Sequence, residues 1–145
     1  LRQIRAQGPF PEIVRMSAVE HTPRDDMLKA LAFAGQPCPY LDGLSTALSD
    51  LPGLDFGTQG GRKRIIHDIG QLGDRNSQHI RALLDAGIRS SMTVALRDAT
   101  VSVGYLFVNS ARPGYFSPDV VSRLGPPVGQ TILLLRRELR RQRQH

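Results

Sequence analysis

Residues 90–109 read Ser90-Ser91-Met92-Thr93-Val94-Ala95-Leu96-Arg97-Asp98-Ala99-Thr100-Val101-Ser102-Val103-Gly104-Tyr105-Leu106-Phe107-Val108-Asn109. This stretch is two strand-like runs, 90–97 and 101–109, joined by the tight connection Asp98-Ala99-Thr100. Upstream, Asn76 can cap a helix that runs through Ala86 with Ile80, Leu83 and Leu84 inward. Gly87 ends it where a left-handed residue is wanted. Downstream, Ala111-Arg112-Pro113-Gly114 is a turn, and Ser117-Pro118 starts another helix. Helix, strand, tight turn, strand, helix describes an antiparallel hairpin flanked by helices. Such a hairpin must bury one sheet face under a helix, so the fold class is α+β.

Further out the pattern weakens. Residues 64–69 are a short strand-like run followed by a loop. Residues 1–63 are poorly patterned and rich in Gly and Pro. Within them, 13–19 could be a strand or part of a helix. Thr22-Pro23 gives a helix start. That helix is expected over 24–34, with Met27, Leu28, Leu31 and Ala32 on one face. A short helix over 41–48 and a loop over 57–61 follow. The last helix is expected to break at Gly125-Pro126-Pro127 and resume over 128–143.

The 145 residues fit one domain with a real core. No uninterrupted apolar run is long enough to span a membrane. The chain lacks an initiator Met and an apolar leader, so it reads as excised from a longer cytoplasmic protein. The single cysteine, Cys38, can form neither an internal disulfide nor a Cys-rich zinc site. The net charge is +6, and +4 of it falls in the last ten residues. The basicity is therefore a tail property. It is a weak argument for nucleic acid, which stays the least favoured of the binding alternatives.

Taken together, residues 64–135 resemble the C-terminal half of a GAF domain. The resemblance is carried by Arg64-Ile65-Ile66-His67-Asp68-Ile69, by Leu83-Leu84-Asp85-Ala86-Gly87-Ile88-Arg89-Ser90-Ser91, and by Val94-Ala95-Leu96-Arg97. It continues through Val103-Gly104-Tyr105-Leu106-Phe107-Val108-Asn109-Ser110 and Arg112-Pro113-Gly114-Tyr115-Phe116-Ser117-Pro118-Asp119-Val120. It implies a profilin/PAS-like antiparallel sheet flanked by helices, here with a divergent N-terminal half, and a single domain over 1–145. It also implies a regulatory module of a bacterial signalling protein, a small-molecule pocket, and an output domain in the same or a partner chain. Gly104, inside a strand, is expected to mark a bulge or a close backbone approach. Phe116 is expected to staple the start of the last helix.

The chemistry that can be assembled is limited. No nucleophile elbow, metal-protease motif or phosphate loop occurs. The family includes a methionine-sulfoxide reductase that needs several cysteines, so the module is expected to be non-catalytic. His67 and Asp68 are adjacent on a strand and point to opposite faces, and His79 lacks a second ligand on its helix, so no metal site is expected. Cys38 lies far upstream of the matching region, so no covalent bilin is expected. Heme rests on His67 alone, and a histidine bonded to loop backbone is the stronger reading. Candidate ligand-binding groups are His67, Asp68, Arg89, Ser91, Thr93 and Tyr105, of an unidentified ligand.

Val128, Ile132, Leu135 and Leu139 are spaced 4, 3 and 4, a coiled-coil seam. They predict a homodimer through the basic C-terminal helix 128–145, with Leu133 and Leu134 covering the domain's own sheet. The alternative is a dimerisation module with a vestigial pocket.

Overall fold

Strand pairing decides this fold, and it recruits a segment whose composition favours helix. The computed structural model describes residues 10–22, 24–51, 54, 62–72, 77–99 and 101–143. β1 (Ile13–Thr22) and β2 (Met27–Gly35) form the first hairpin. A one-turn helix α1 (Pro39–Asp42) leads to the short β3 (Ser45–Ala47). β4 (Lys63–Ile66) and a 3₁₀ turn (Ile69–Gln71) precede α2 (Gln78–Asp85). β5 (Ser90–Asp98) and β6 (Val101–Ser110) form the second hairpin, and α3 (Pro118–Arg143) closes the described chain. The six strands of the described residues lie in one antiparallel sheet of order β3-β2-β1-β6-β5-β4.

Several expectations hold. The hairpin 90–109 is present, and β1 is a strand. Gly87 has φ 79°, the left-handed cap that ends α2. Ser77 accepts from the Ile80 amide to start that helix, while Asn76 and residues 57–61 lie outside the described residues. Gly104 is the close approach anticipated, because a Cβ there would overlap the Val19 carbonyl oxygen. Phe116 is buried with Val120 and Leu124, and Ser117 Oγ accepts from the Val120 amide at 3.3 Å.

Three expectations are corrected. Residues 24–34 were expected as a helix and form most of β2. Its Ala, Leu and Lys residues suit a helix, but the segment pairs with β1 on one side and β3 on the other. Those backbone hydrogen bonds outweigh a propensity worth only tenths of a kcal/mol per residue. The N-terminal half therefore carries both of the sheet's first two strands. The predicted 41–48 helix is instead α1, β3 and a 3₁₀ turn (Leu48–Asp50). Finally, α3 does not break at Gly125-Pro126-Pro127. Two prolines remove two helix donors, but Leu124 and Val128 on either side are both buried against the sheet. That packing holds the axis together, and Thr131 Oγ1 donates back to the Pro127 carbonyl at 3.1 Å.

The sheet's two faces have different fates. Alternate residues Met92 and Leu96 of β5, Met16 and Ala18 of β1, and Leu106 and Val108 of β6 pack under α3. From α3 they meet Val120, Leu124, Val128, Leu135 and Leu139. Each fully buried Leu in this layer contributes roughly 1.5–3 kcal/mol. The predicted seam is thus turned inward. Val128, Leu135 and Leu139 are buried, Ile132 packs beside them, and Leu133 and Leu134 are 61% and 59% exposed. The 4-3-4 spacing is equally the spacing of a helix lying on its own sheet. The opposite sheet face is covered by α1, α2 and the 3₁₀ turn, through Cys38, Leu41, Ile69, Ile80, Leu83 and Ile88.

Candidate functional site

The second face is not filled. Between the sheet and the α1–α2 layer lies a cavity of about 700 Å³, within the range of small-molecule sites. Its floor follows from strand register. Arg15, Asn109 and Ser91 are successive cross-strand partners on β1, β6 and β5. Ser17, Phe107, Thr93 and Arg64 form the next row, reaching β4. Neighbouring strands are about 4.8 Å apart, so each row is a line of side chains across the sheet. Leu44, Leu54, Ile80 and Leu83 supply apolar walls, and the small Ala30 leaves room at the β2 side.

Arg15 is brought to this face by a β-bulge. The register steps from Ile13↔Ser110 to Arg15↔Asn109, leaving Val14 as the extra residue. Ile13 then faces α3, and Arg15 faces the cavity. The Arg15 residue is only 1% exposed. Its Nη2 lies 2.6 Å from Asp42 Oδ1, and its Nη1 donates to the Gln36 carbonyl at 2.9 Å. Its guanidinium stands 4.8 Å over the Phe33 ring. Asp42 Oδ2 in turn accepts from the Cys38 amide, which starts α1. Arg15 Nε is buried without an acceptor.

The neutral polar groups of the floor are also uncommitted. Ser17, Ser91, Thr93 and Asn109 are all buried. None of these four side chains makes a hydrogen bond within the protein among the described residues. His79 lines the α2 wall, 6.5 Å edge-on from Tyr40. Burial, and then the nearby Arg64 charge, push its pKa down to about 4, so it is neutral at pH 7.

The sequence candidates divide. Ser91 and Thr93 line the cavity. Tyr105 shares their sheet face but lies beyond the cavity wall, and its hydroxyl donates to the Leu54 carbonyl at 2.8 Å. His67 is exposed, and its carbonyl accepts from the Gly114 amide. Asp68 Oδ1 accepts from the Gly70 amide at 3.0 Å and meets Arg89 Nη2 at 3.3 Å. That pair fastens the 3₁₀ turn to the start of β5, outside the lining. Arg15, Ser17, Asp42, His79 and Asn109 went unread as site residues. Asn109 was findable, since it continues the parity of Tyr105 and Phe107. Arg15 carried one signal, a charge amid the apolar run 13–19. Asp42 carried none.

A second polar cluster lies at the β1–β2 turn. His21 is buried, with Nδ1 2.7 Å from Ser102 Oγ and Nε2 3.1 Å from Asp26 Oδ1. Its order matches a Ser-His-Asp relay, but its exposure is inverted. Ser102 is buried and Asp26 faces solvent, whereas a nucleophile must be reachable. The cluster clamps the turn, where Asp26 holds a left-handed φ of 54°.

Among the described residues no group of three or more His, Cys, Asp or Glu could hold a metal ion. No described helix is long and apolar enough to cross a membrane.

No protein-family profile and no curated protein matches the sequence. Solved structures do match the fold. The GAF domain region of a protein from Geobacter sulfurreducens PCA aligns with a TM-score of 0.70 at 13% identity, covering 94% of this chain and 87% of that one. The phycocyanobilin-bound GAF domain of a cyanobacterial phytochrome aligns at 0.66 and 17%, covering 92% and 78%. A type II free methionine-R-sulfoxide reductase from Thermoplasma acidophilum aligns at 0.62 and 14%, covering 86% and 78%. At these identities the likeness is one of fold.

Proposed function

We propose, from the premise that this chain has a GAF-like fold, that it is a non-catalytic regulatory domain that binds a small molecule between its sheet and the α1–α2 layer. The observation that carries the reading is the cavity floor. Ser17, Ser91, Thr93 and Asn109 line a space of about 700 Å³, and among the described residues their side chains have no hydrogen-bond partner. Polar atoms that open onto a cavity are free to bond to whatever fills it. A polar floor under apolar walls suits a ligand with both characters.

The phytochrome relative carries a chromophore. This chain's one cysteine, Cys38, is buried with Sγ 3.7 Å from the Ala82 carbonyl, and it is absent from the cavity lining. It is poorly placed for a covalent attachment. The reductase relative is an enzyme, but a single cysteine cannot form an internal disulfide, which supports the non-catalytic reading.

Self-association is the second part of the reading, through α3 toward an output domain in the same or a partner chain. The buried face of α3 is spent on the sheet, so the contact is assigned to Leu133 and Leu134, both exposed. Exposed adjacent leucines on a helix are suited to a partner helix.

Native mass spectrometry of the purified chain, compared with its denatured mass, tests both parts. Extra non-covalent mass supports ligand binding, and a doubled mass supports the dimer. A bare monomer counts against the dimer.

A further inference from the structure

We propose that the cavity's ligand is a monocarboxylate with an apolar body, and that its carboxylate seats on the row Arg15–Asn109–Ser91. This rests on reading the cavity as a ligand site and deepens that reading.

The row is rich in donors. Arg15 brings a guanidinium, whose two terminal nitrogens face the Gln36 carbonyl and Asp42. Its Nε–H is left buried and without an acceptor. Asn109, the next residue across the sheet, is 2% exposed and brings two amide N–H groups. Ser91, the next again, brings a hydroxyl. Ser17 and Thr93, one row away, add two more hydroxyls. A group with two acceptor oxygens suits the Asn109 amide and the Ser91 hydroxyl, and the Arg15 guanidinium beside them favours a charged one.

The charge balance favours one negative charge over two. Among the described residues the lining holds two cations, Arg15 and Arg64, against one carboxylate, Asp42, which lies 2.6 Å from Arg15, so it carries a single net positive charge. His79, on the α2 wall, is neutral and adds no cation near pH 7. A dianionic phosphate would bring a second charge into a largely apolar cavity, and an unpaired buried charge is costly. Away from the row, Leu44, Leu54, Ile80, Leu83 and Phe107 are apolar. They suit a hydrocarbon body.

The test uses three probes that share one body: 1-naphthoate, 1-naphthamide and 1-naphthyl phosphate. Each competes against Nile red, a neutral dye that reports an accessible apolar cavity. We expect Nile red to fluoresce with the protein and 1-naphthoate to displace it. The amide and the phosphate should bind at least about tenfold more weakly, the scale of one charge-assisted hydrogen bond. Asn109→Leu and Ser91→Ala should each weaken 1-naphthoate by about tenfold while Nile red still binds. Arg15→Met should abolish acid binding. Because it also breaks the Asp42 pair, it counts only if its melting temperature holds. Equal or tighter binding of the amide or the phosphate overturns the carboxylate assignment and leaves the cavity reading intact. So does Nile red binding without displacement by 1-naphthoate. Absence of any Nile red signal overturns the cavity reading itself.

Discussion

The hydroxyl of Tyr105, on the central strand β6, donates to the backbone carbonyl of Leu54 at 2.8 Å, although 51 residues separate them in sequence. Leu54 is part of the cavity wall. Tyr105 therefore positions the wall from behind it. Tyr105→Phe removes this donor from the Leu54 carbonyl. The expected loss is about 1–2 kcal/mol in urea unfolding. Nile red affinity should fall with it, since the wall is no longer pinned.

Gly104 tolerates no side chain. A Cβ there overlaps the carbonyl oxygen of Val19 on the neighbouring strand, and backbone cannot move aside cheaply. Gly104→Ala should destabilise by about 1–3 kcal/mol or more in denaturant melts. Gly125→Ala is the control, because nothing lies within 4 Å of its position. It should be neutral or slightly stabilising.

The two faces of α3 should separate cleanly. Leu139→Ala empties a buried site at the sheet and should cost about 2–5 kcal/mol. The double change Leu133→Glu with Leu134→Glu touches exposed positions. It should leave the melting temperature nearly unchanged and convert any dimer to monomer in size-exclusion chromatography. Loss of stability in the double variant would mean that the exposed face has a structural role.

His79 links stability to pH. Its folded pKa is lowered to about 4 from 6.5 by burial and by Arg64. Between those values the unfolded chain holds the proton and the folded chain does not. Stability is therefore full above about pH 6.5 and falls as pH drops toward 4. The loss is on the order of 3 kcal/mol if the whole shift is realised. His79→Gln should flatten the stability curve over that window relative to the parent. An unchanged curve would mean that His79 is reached by water.

The His21 clamp predicts a local effect. Ser102→Ala leaves His21 Nδ1 without its partner and should cost about 1–2 kcal/mol. Hydrogen exchange should rise at the β1–β2 turn around Asp26. Nile red binding should not change, because His21 and Ser102 lie outside the cavity lining.

The second hairpin, the Gly87 cap, the Ser117 start of α3 and the crowding at Gly104 were legible in the sequence. Each is a local constraint, set by period, cap chemistry or the absence of a side chain. Ser91 and Thr93 were legible for the same reason, since parity along one strand places both on one face. What only the tertiary structure decided depends on partners distant in sequence. Residues 27–35 have helix-forming composition and became β2 because β1 and β3 offered edges to pair with. The proline pair was kept inside α3 because the sheet holds the helix on both sides of it. The 4-3-4 seam of α3 fits a partner helix and the domain's own sheet equally well, and burial chose the sheet. Arg15 reached the cavity through a bulge, and Asp42 met it across 27 residues. Sequence period fixes which side of an element is apolar. Which surface covers that side is a matter of packing, and packing is not local.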